Sequence, residues 1–288
     1  MALLNFIAEI GSNWYHPDKE AAKSEALRAI SQAAYCGATI VKFQVFRSRT
    51  LYSEIRAKSL MDRVRQYEFP ISWLSAMKAH ANRCGVKLWA SIFDPEIIDQ
   101  CAMYLDGIKV ASGDLTYEPL LKAMADASAR YRIPLALSTG AATEEEIADA
   151  LYIVERNAPY EIILFHCVSA YPAQDFAINL AGGTVFSNSV DEIGFSDHTK
   201  GNYAAALAVG MGYTHFEKHF HGWGAEDTPD RSVSIGQDDF KKYIDGINYA
   251  NAIVGEKRKR VHPSEIGERT MARRWKDGLR PNTERIVG

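Results

Sequence analysis

The chain has 288 residues, 47% hydrophobic and 24% charged, with 33 Lys and Arg against 36 Asp and Glu for a net charge of −3. This is ordinary globular usage, which excludes disorder and leaves ample material for a core. The near-neutral balance also excludes a general nucleic-acid or polyanion binder, so any anion site must come from a local cluster.

Short apolar runs recur along the chain at 5–10, 39–45, 86–90, 107–111, 135–138, 162–167, 192–195 and 214–217. Most are nearly continuous rather than alternating, the pattern of parallel strands covered on both faces. Helical spacing separates them. Asp18 caps a predicted helix over 19–36, with Gly37 as its stop. The long stretch 48–70 is expected to be an active-site loop carrying a short helix near 59–66. Thr143 and Glu146 form a capping-box pattern, after which Ile147, Leu151 and Val154 line one face. The sixth helix reads poorly around Ala181-Gly182-Gly183-Thr184. Ala204, Leu207, Ala208 and Met211 repeat the i, i+3, i+4, i+7 spacing, and a last helix over 240–254 is expected to turn Tyr243, Ile247 and Tyr249 toward the barrel.

Eight such units favour an α/β fold of the (β/α)8 TIM-barrel type over an open doubly wound sheet. Length alone allows two domains, but one barrel reaches about 250 residues. With no repeat or Pro/Gly-rich linker, the reading is one catalytic barrel over 1–262, then a C-terminal extension, 263–288, without a second folded domain. No basic n-region with an apolar h-region opens the chain, and no apolar run reaches the roughly 18 residues of a membrane span. Cys36, Cys84, Cys101 and Cys167 are widely spaced in apolar contexts. They are read as buried free thiols in a cytoplasmic protein.

In such a barrel, chemistry collects at the C-terminal ends of the strands. Polar residues fall there: Glu9, then Lys42 and Gln44, Ser91, Lys109 and Ser112, Ser138, His166, Ser196 with His198, and Glu217 to His219. Taken singly, a strand Lys can snorkel to a rim, and a lone His is more often a satisfied core residue than a ligand. As a set they point to a site. Lys42 and Lys109 lie inside apolar strands where a buried ammonium needs an anion. With no matching surplus of acid on those strands, the expectation is an anionic ligand rather than a structural ion pair. His198 and His219 end adjacent strands and could converge on one divalent cation, completed by water, substrate or a carboxylate such as Asp230. His215 and His221 are weighed as structural or surface residues, and His166 as a wall of the substrate pocket.

Several linked motifs carry a family resemblance. They are Ala8-Glu9-Ile10-Gly11 with Asn13, Lys42-Phe43-Gln44, Lys109 to Asp114, Ser138-Thr139-Gly140, His166 to Pro172, Gly194 to Thr199, and Glu217-Lys218-His219-Phe220. Together they resemble the N-acetylneuraminate (sialic acid) synthase family over roughly residues 6–234. The resemblance implies condensation of phosphoenolpyruvate with an aldose, giving a 2-keto-3-deoxy sugar acid and phosphate. It further implies that Glu9 serves acid/base or electrostatic chemistry and that Lys42 and Lys109 hold phosphoenolpyruvate. Ser91, Ser112, Ser169 and Ser196 follow as hydrogen-bonding partners, and His198 and His219 as ligands of manganese or magnesium. Gln44, Tyr171 and Asp230 match positions that face the sugar acceptor. A homo-oligomer is implied.

The chain departs from the family in three places. Asn13 is followed by Trp14, Tyr15 and His16 at what is expected to be the site's mouth. Arg231 follows Asp230, either to bind an acceptor anion or to face solvent. The family's C-terminal antifreeze-like domain is not expected within this sequence, so acceptor recognition is expected from barrel loops, another subunit or a separate polypeptide. The run Lys257-Arg258-Lys259-Arg260 reads as solvated surface. Two rival readings remain: a related condensation with a different aldehyde, phosphorylated or not, and a non-catalytic barrel that binds a sugar acid.

Overall fold

The computed structural model describes residues 3–222, 228–256 and 258–282. Eight parallel strands occur among them: β1 Asn5–Gly11, β2 Ile40–Val45, β3 Lys87–Ile92, β4 Gly107–Val110, β5 Leu135–Ser138, β6 Ile162–Cys167, β7 Glu192–Ser196 and β8 His215–His219. They follow chain order around a closed barrel, and β8 pairs back onto β1. Each predicted strand is met within two residues at either end. The fold is the (β/α)8 barrel.

The helices α1 Lys19–Tyr35, α2 Ser48–Leu51, α3 Glu54–Val64, α4 Leu74–Cys84, α5 Ile98–Ala102, α6 Glu118–Tyr131, α7 Glu144–Glu155, α8 Tyr203–Gly210 and α9 Gln237–Val254 belong to the same unit. Asp18 caps α1 by accepting from the Ala21 N–H, and Thr143 with Glu146 forms the full capping box on α7. In the segment after β2, Ser53 caps a first turn through the Arg56 N–H, and the helix breaks at Ala57, so its longer part beyond that residue lies close to the expected 59–66. Between β6 and β7 the described chain makes only single 3-10 turns, at Asp175–Ala177 and Gly182–Thr184.

Two packing expectations fail. Tyr249 is 70% exposed, since α9 buries Phe240, Tyr243, Ile244 and Ile247 instead. In α8 and at its C-cap, Leu207 and Met211 face outward while Ala205, Ala208 and Val209 are buried. That helix is apolar on every side, so spacing alone could not choose its inner face. Its small side brings it against α9.

Inside the barrel, Ile7, Ile40, Trp89, Ala136, Ile163 and Phe165 form a separate apolar plug below the strand ends. A side chain at Gly107 would overlap the Trp89 indole, so this glycine makes room for it. His215 lies beside Trp89 and bonds Asn5 at 3.0 Å, the structural role expected of it.

Among the described residues, those up to Val254 form this compact unit and those from Gly255 onward form a second. The second carries α10, Ile266–Ala272, after a turn capped by His262. Of the basic run, Arg258, Lys259 and Arg260 are exposed, and Lys257 lies outside the described residues. Among the described residues no helix is long and apolar enough to cross a membrane.

Candidate active site

The strand register assembles the site. Glu9 lies opposite Lys42 on one side and His219 on the other. Gln44 faces Ser91, Ser91 faces Lys109, and Ser196 sits between Cys167 and Glu217. Because side chains alternate along a strand, these residues form one inward layer above the apolar plug. The layer lines a cavity of about 250 Å³. Glu9, Lys42, Gln44, Ser91 and Lys109 reach it from the first four strands. Ser112, Ser169 and Tyr171 enter from the loops, and Ser196, His198 and His219 close the ring. Asp230 is the exception among the expected residues: it lines an adjoining cavity.

The expectation that the two lysines lack protein partners is overturned. Lys42 pairs with Glu9, stands 3.5 Å from Glu217 and donates to Ser91 at 3.1 Å. Lys109 donates to Glu217 at 3.2 Å. The missing acid came from other strands, β1 and β8, which a strand-by-strand count of charge does not see. Burial alone would push the Lys42 ammonium down, but Glu217 and Glu9 outweigh it and hold Lys42 above the usual lysine range. Burial likewise opposes ionisation of Glu217, yet Lys109 and Lys42 hold it well below the usual carboxylate range. The result is a buried quartet of two ammonium and two carboxylate groups. Each ammonium has three N–H donors, so Lys109 keeps donor capacity for a ligand in the cavity.

Glu217 received no role from the sequence, although it occupies the central position. The signal was parity: it lies two residues before His219, so it must share that residue's inward face. Ser138, grouped with the strand-end polar residues, likewise received no individual role. The residue lines the cavity, and its buried hydroxyl has no hydrogen-bond partner among the described residues.

The two imidazoles lie 5.8 Å apart between ring centroids, and the Tyr171 ring covers His198 at 4.2 Å. The Nδ1 of His198 meets the Val168 carbonyl at 2.7 Å. A carbonyl only accepts, so Nδ1 carries the proton and Nε2 the lone pair. Ser196 Oγ stands 3.3 Å from that lone pair but gives its proton to Glu217 at 2.8 Å. Burial lowers the His198 pKa to about 4, keeping the ring neutral. His219 Nδ1 is buried without a hydrogen-bond partner among the described residues, 3.9 Å from Asp230 Oδ1. Two lone-pair donors held this way suit a cation. Among the described residues no cluster of three or more His, Cys, Asp or Glu side chains is placed to hold one. The pair would therefore leave most coordination positions to substrate and water.

Other expectations near the site need correction. His166 turns away from the catalytic cavity, and its Nε2 donates to the Ile178 carbonyl at 2.6 Å. Trp14 is buried outside the mouth, edge-on to Phe69 at 5.2 Å and Trp73 at 5.7 Å. Arg231 lines a separate cavity with His221, Gln237, Asp238 and Asp239. Asn13 ties β1 to the loop after β8 by donating to the Phe220 carbonyl and Ser234 and accepting from Thr228.

The adjoining cavity, about 440 Å³, shares Gln44, Phe93, Ala111 and Gly113 with the catalytic one. Asp230 stands at its edge, accepting from the backbone N–H and hydroxyl of Ser12, each at 2.7 Å. Gly11 permits this approach: its φ is +53°, and a Cβ there would overlap the Asp230 carboxylate.

Comparison with known proteins agrees with this geometry. The family model described as the NeuB family matches residues 29–259. The chain is 30% identical over 284 residues to the pseudaminic acid synthase of Helicobacter pylori, covering 91% of this chain and 79% of that protein. It is 29% identical over 289 residues to the N,N'-diacetyllegionaminic acid synthase of Legionella pneumophila, covering 93% and 78%. The crystal structure of an N-acetylneuraminic acid (sialic acid) synthetase from Leptospira borgpetersenii in complex with citrate superposes with a TM-score of 0.81 at 27% identity, covering 92% of this chain and 90% of that one.

Proposed function

The chain belongs to the NeuB family, and from that premise we infer that it is a synthase condensing phosphoenolpyruvate with an aldose to give a nonulosonic sugar acid and phosphate. The observation that carries the reading is the single cavity where Lys42, Lys109, Glu9 and Glu217 meet His198 and His219 at the strand ends.

The chemistry asks for three things. C3 of the enol phosphate attacks the aldehyde carbon, making the new C–C bond as the aldehyde oxygen takes up a proton. Water then adds at C2, and the C2–O bond of the tetrahedral intermediate breaks to release phosphate. Lys109, with its spare N–H donors, and Lys42 offset the charge of the phosphate and carboxylate. Ser91, Ser112, Ser138, Ser169 and Ser196 supply hydroxyls to orient them. Glu9, held by Gln44 at 2.9 Å, is assigned to take the proton of the attacking water. Glu217 fixes both lysines and Ser196. His198 and His219 would hold a divalent cation, manganese or magnesium, and when bound it supplies Lewis acidity toward the aldehyde oxygen. Tyr171 and Gln44 border the acceptor side of the cavity.

A cytoplasmic setting is proposed, in keeping with four free cysteines. A homo-oligomer is proposed as well, to be read by light scattering. Phosphate release from phosphoenolpyruvate, assayed against a panel of aldoses with and without manganese, tests the reading. Release that depends on an aldose supports it. Absence of release with every aldose contradicts it.

A further inference from the structure

Side chains alternate along a strand, so the residues between those of the inward layer point outward, toward the helices. At Ala8, Phe43, Ala90, Val110 and Leu137 on the first five strands, these outward positions belong to the apolar core. The last two strands differ. β8 buries Lys218 there, and the residue that follows β7 is the equally buried Asp197. Lys218 Nζ stands 3.2 Å from Asp197 Oδ2 and 5.4 Å from the centre of the Tyr243 ring on α9. It also donates to the Thr199 carbonyl at 2.6 Å. Asp197 Oδ1 in turn accepts from the backbone N–H and hydroxyl of Thr199, at 2.8 and 2.7 Å. Apolar residues of similar volume often stabilise a fold as well as a buried ion pair does, so the charges here point to a positional role.

The residue so placed is His198. The register of β7 and β8 runs to Ser196 opposite Glu217, and one further bond joins the Asp197 N–H to the Glu217 carbonyl at 2.8 Å. His198 lies beyond that bond. Lys218, the neighbour of His219 in sequence, grips the residues on either side of it. We propose that Lys218 and Asp197 are positioning residues for the imidazole pair: their ion pair, on the outer face of the barrel wall, fixes His198 against His219 so that both serve one divalent cation. The inference rests on the reading above that these two histidines hold the cation. Neither Lys218 nor Asp197 lines the catalytic cavity, so they act on the cation through the backbone they hold. Groups that orient metal ligands without touching the metal commonly change its affinity by about ten- to a hundredfold.

The test follows free manganese by electron paramagnetic resonance during titration of the wild type, Lys218→Met, the double variant Asp197→Asn with Lys218→Met, and Thr199→Val. Phosphoenolpyruvate binding is measured by calorimetry without metal, and Tm by circular dichroism. Lys218→Met leaves the Asp197 carboxylate unpaired and should lower Tm, whereas the double variant removes both charges and should regain most of the loss. Manganese affinity is expected to fall about tenfold or more in both, while phosphoenolpyruvate affinity holds. Thr199→Val removes one hydroxyl bond to Asp197 without leaving a charge unpaired, and should weaken manganese binding about threefold. Manganese affinity that recovers together with Tm in the double variant overturns the proposal, because the pair then serves stability alone. Should the Lys218 variants not fold, wild-type manganese affinity in Thr199→Val overturns it. A wild type that binds phosphoenolpyruvate but no manganese overturns the cation assignment and the proposal together. One that binds manganese but no phosphoenolpyruvate overturns the functional reading instead, and the manganese series still decides the proposal.

Discussion

Lys109 on β4 donates to Glu217 on β8 at 3.2 Å across the interior of the barrel, and the same carboxylate lies 3.5 Å from Lys42 on β2. One glutamate therefore positions both cations that the sequence suggested for an anionic substrate. All three side chains are almost fully buried, so bulk solvent does little to screen the two ammonium groups if the carboxylate is removed.

Replacing Glu217 with Gln should be costly for fold and chemistry together. Removing one partner of a buried ion pair leaves uncompensated charge, at about 3–5 kcal/mol. Thermal unfolding of Glu217→Gln is expected at a markedly lower Tm, with kcat reduced about a hundredfold or more. An unchanged Tm would show that the lysines do not depend on it.

The imidazole pair predicts a metal requirement. Dialysis against a chelator should abolish turnover, and manganese should restore it in the wild type but not in His198→Ala. Titration of manganese into His198→Ala should show weakened binding. Full restoration of that variant would remove His198 from the site.

Asp114 gives a pH dependence of stability. Its folded pKa, about 6, is raised above the ordinary value near 3.9. A raised carboxyl stabilises the fold below its unfolded pKa, and this contribution is lost as pH climbs through the folded value. Asp114→Asn should therefore gain about 1–2 kcal/mol at pH 7.5, allowing for the residue's remaining exposure. That corresponds to a Tm higher by about 2–5 °C, with a smaller gain at pH 5. An equal gain at both values would contradict the burial argument.

Gly11→Ala should act on the acceptor side alone. The left-handed φ of +53° costs about 1–2 kcal/mol for a non-glycine residue, and the added Cβ displaces Asp230. The acceptor KM should rise while phosphoenolpyruvate affinity holds. A variant with wild-type acceptor KM would remove Asp230 from acceptor binding.

The barrel was legible because covered parallel strands leave continuous apolar runs and capping residues such as Asp18 and Thr143 mark helix starts. The gathering of Lys42, Lys109, His198 and His219 around one cavity was legible because strand ends are where such folds keep their polar side chains. The partners of the lysines were not. Glu9 approaches Lys42 from the neighbouring strand β1, and Glu217 approaches both lysines from β8, which the barrel's closure brings round to them. Trp14 misled for a related reason. Its place in the loop after β1 suggested the mouth of the site, but Phe69 and Trp73 draw it into a buried aromatic cluster. Asp230 and Arg231 are neighbours in sequence yet face different cavities, because a turn at Arg231–Val233 separates their directions.

The most direct test is calorimetric titration of phosphoenolpyruvate into the wild type and into Lys109→Met, with circular dichroism confirming that the variant is folded. The account predicts saturable binding of phosphoenolpyruvate to the wild type and affinity reduced about a hundredfold or more in Lys109→Met. Equal affinity in both proteins, or none in the wild type, would contradict it.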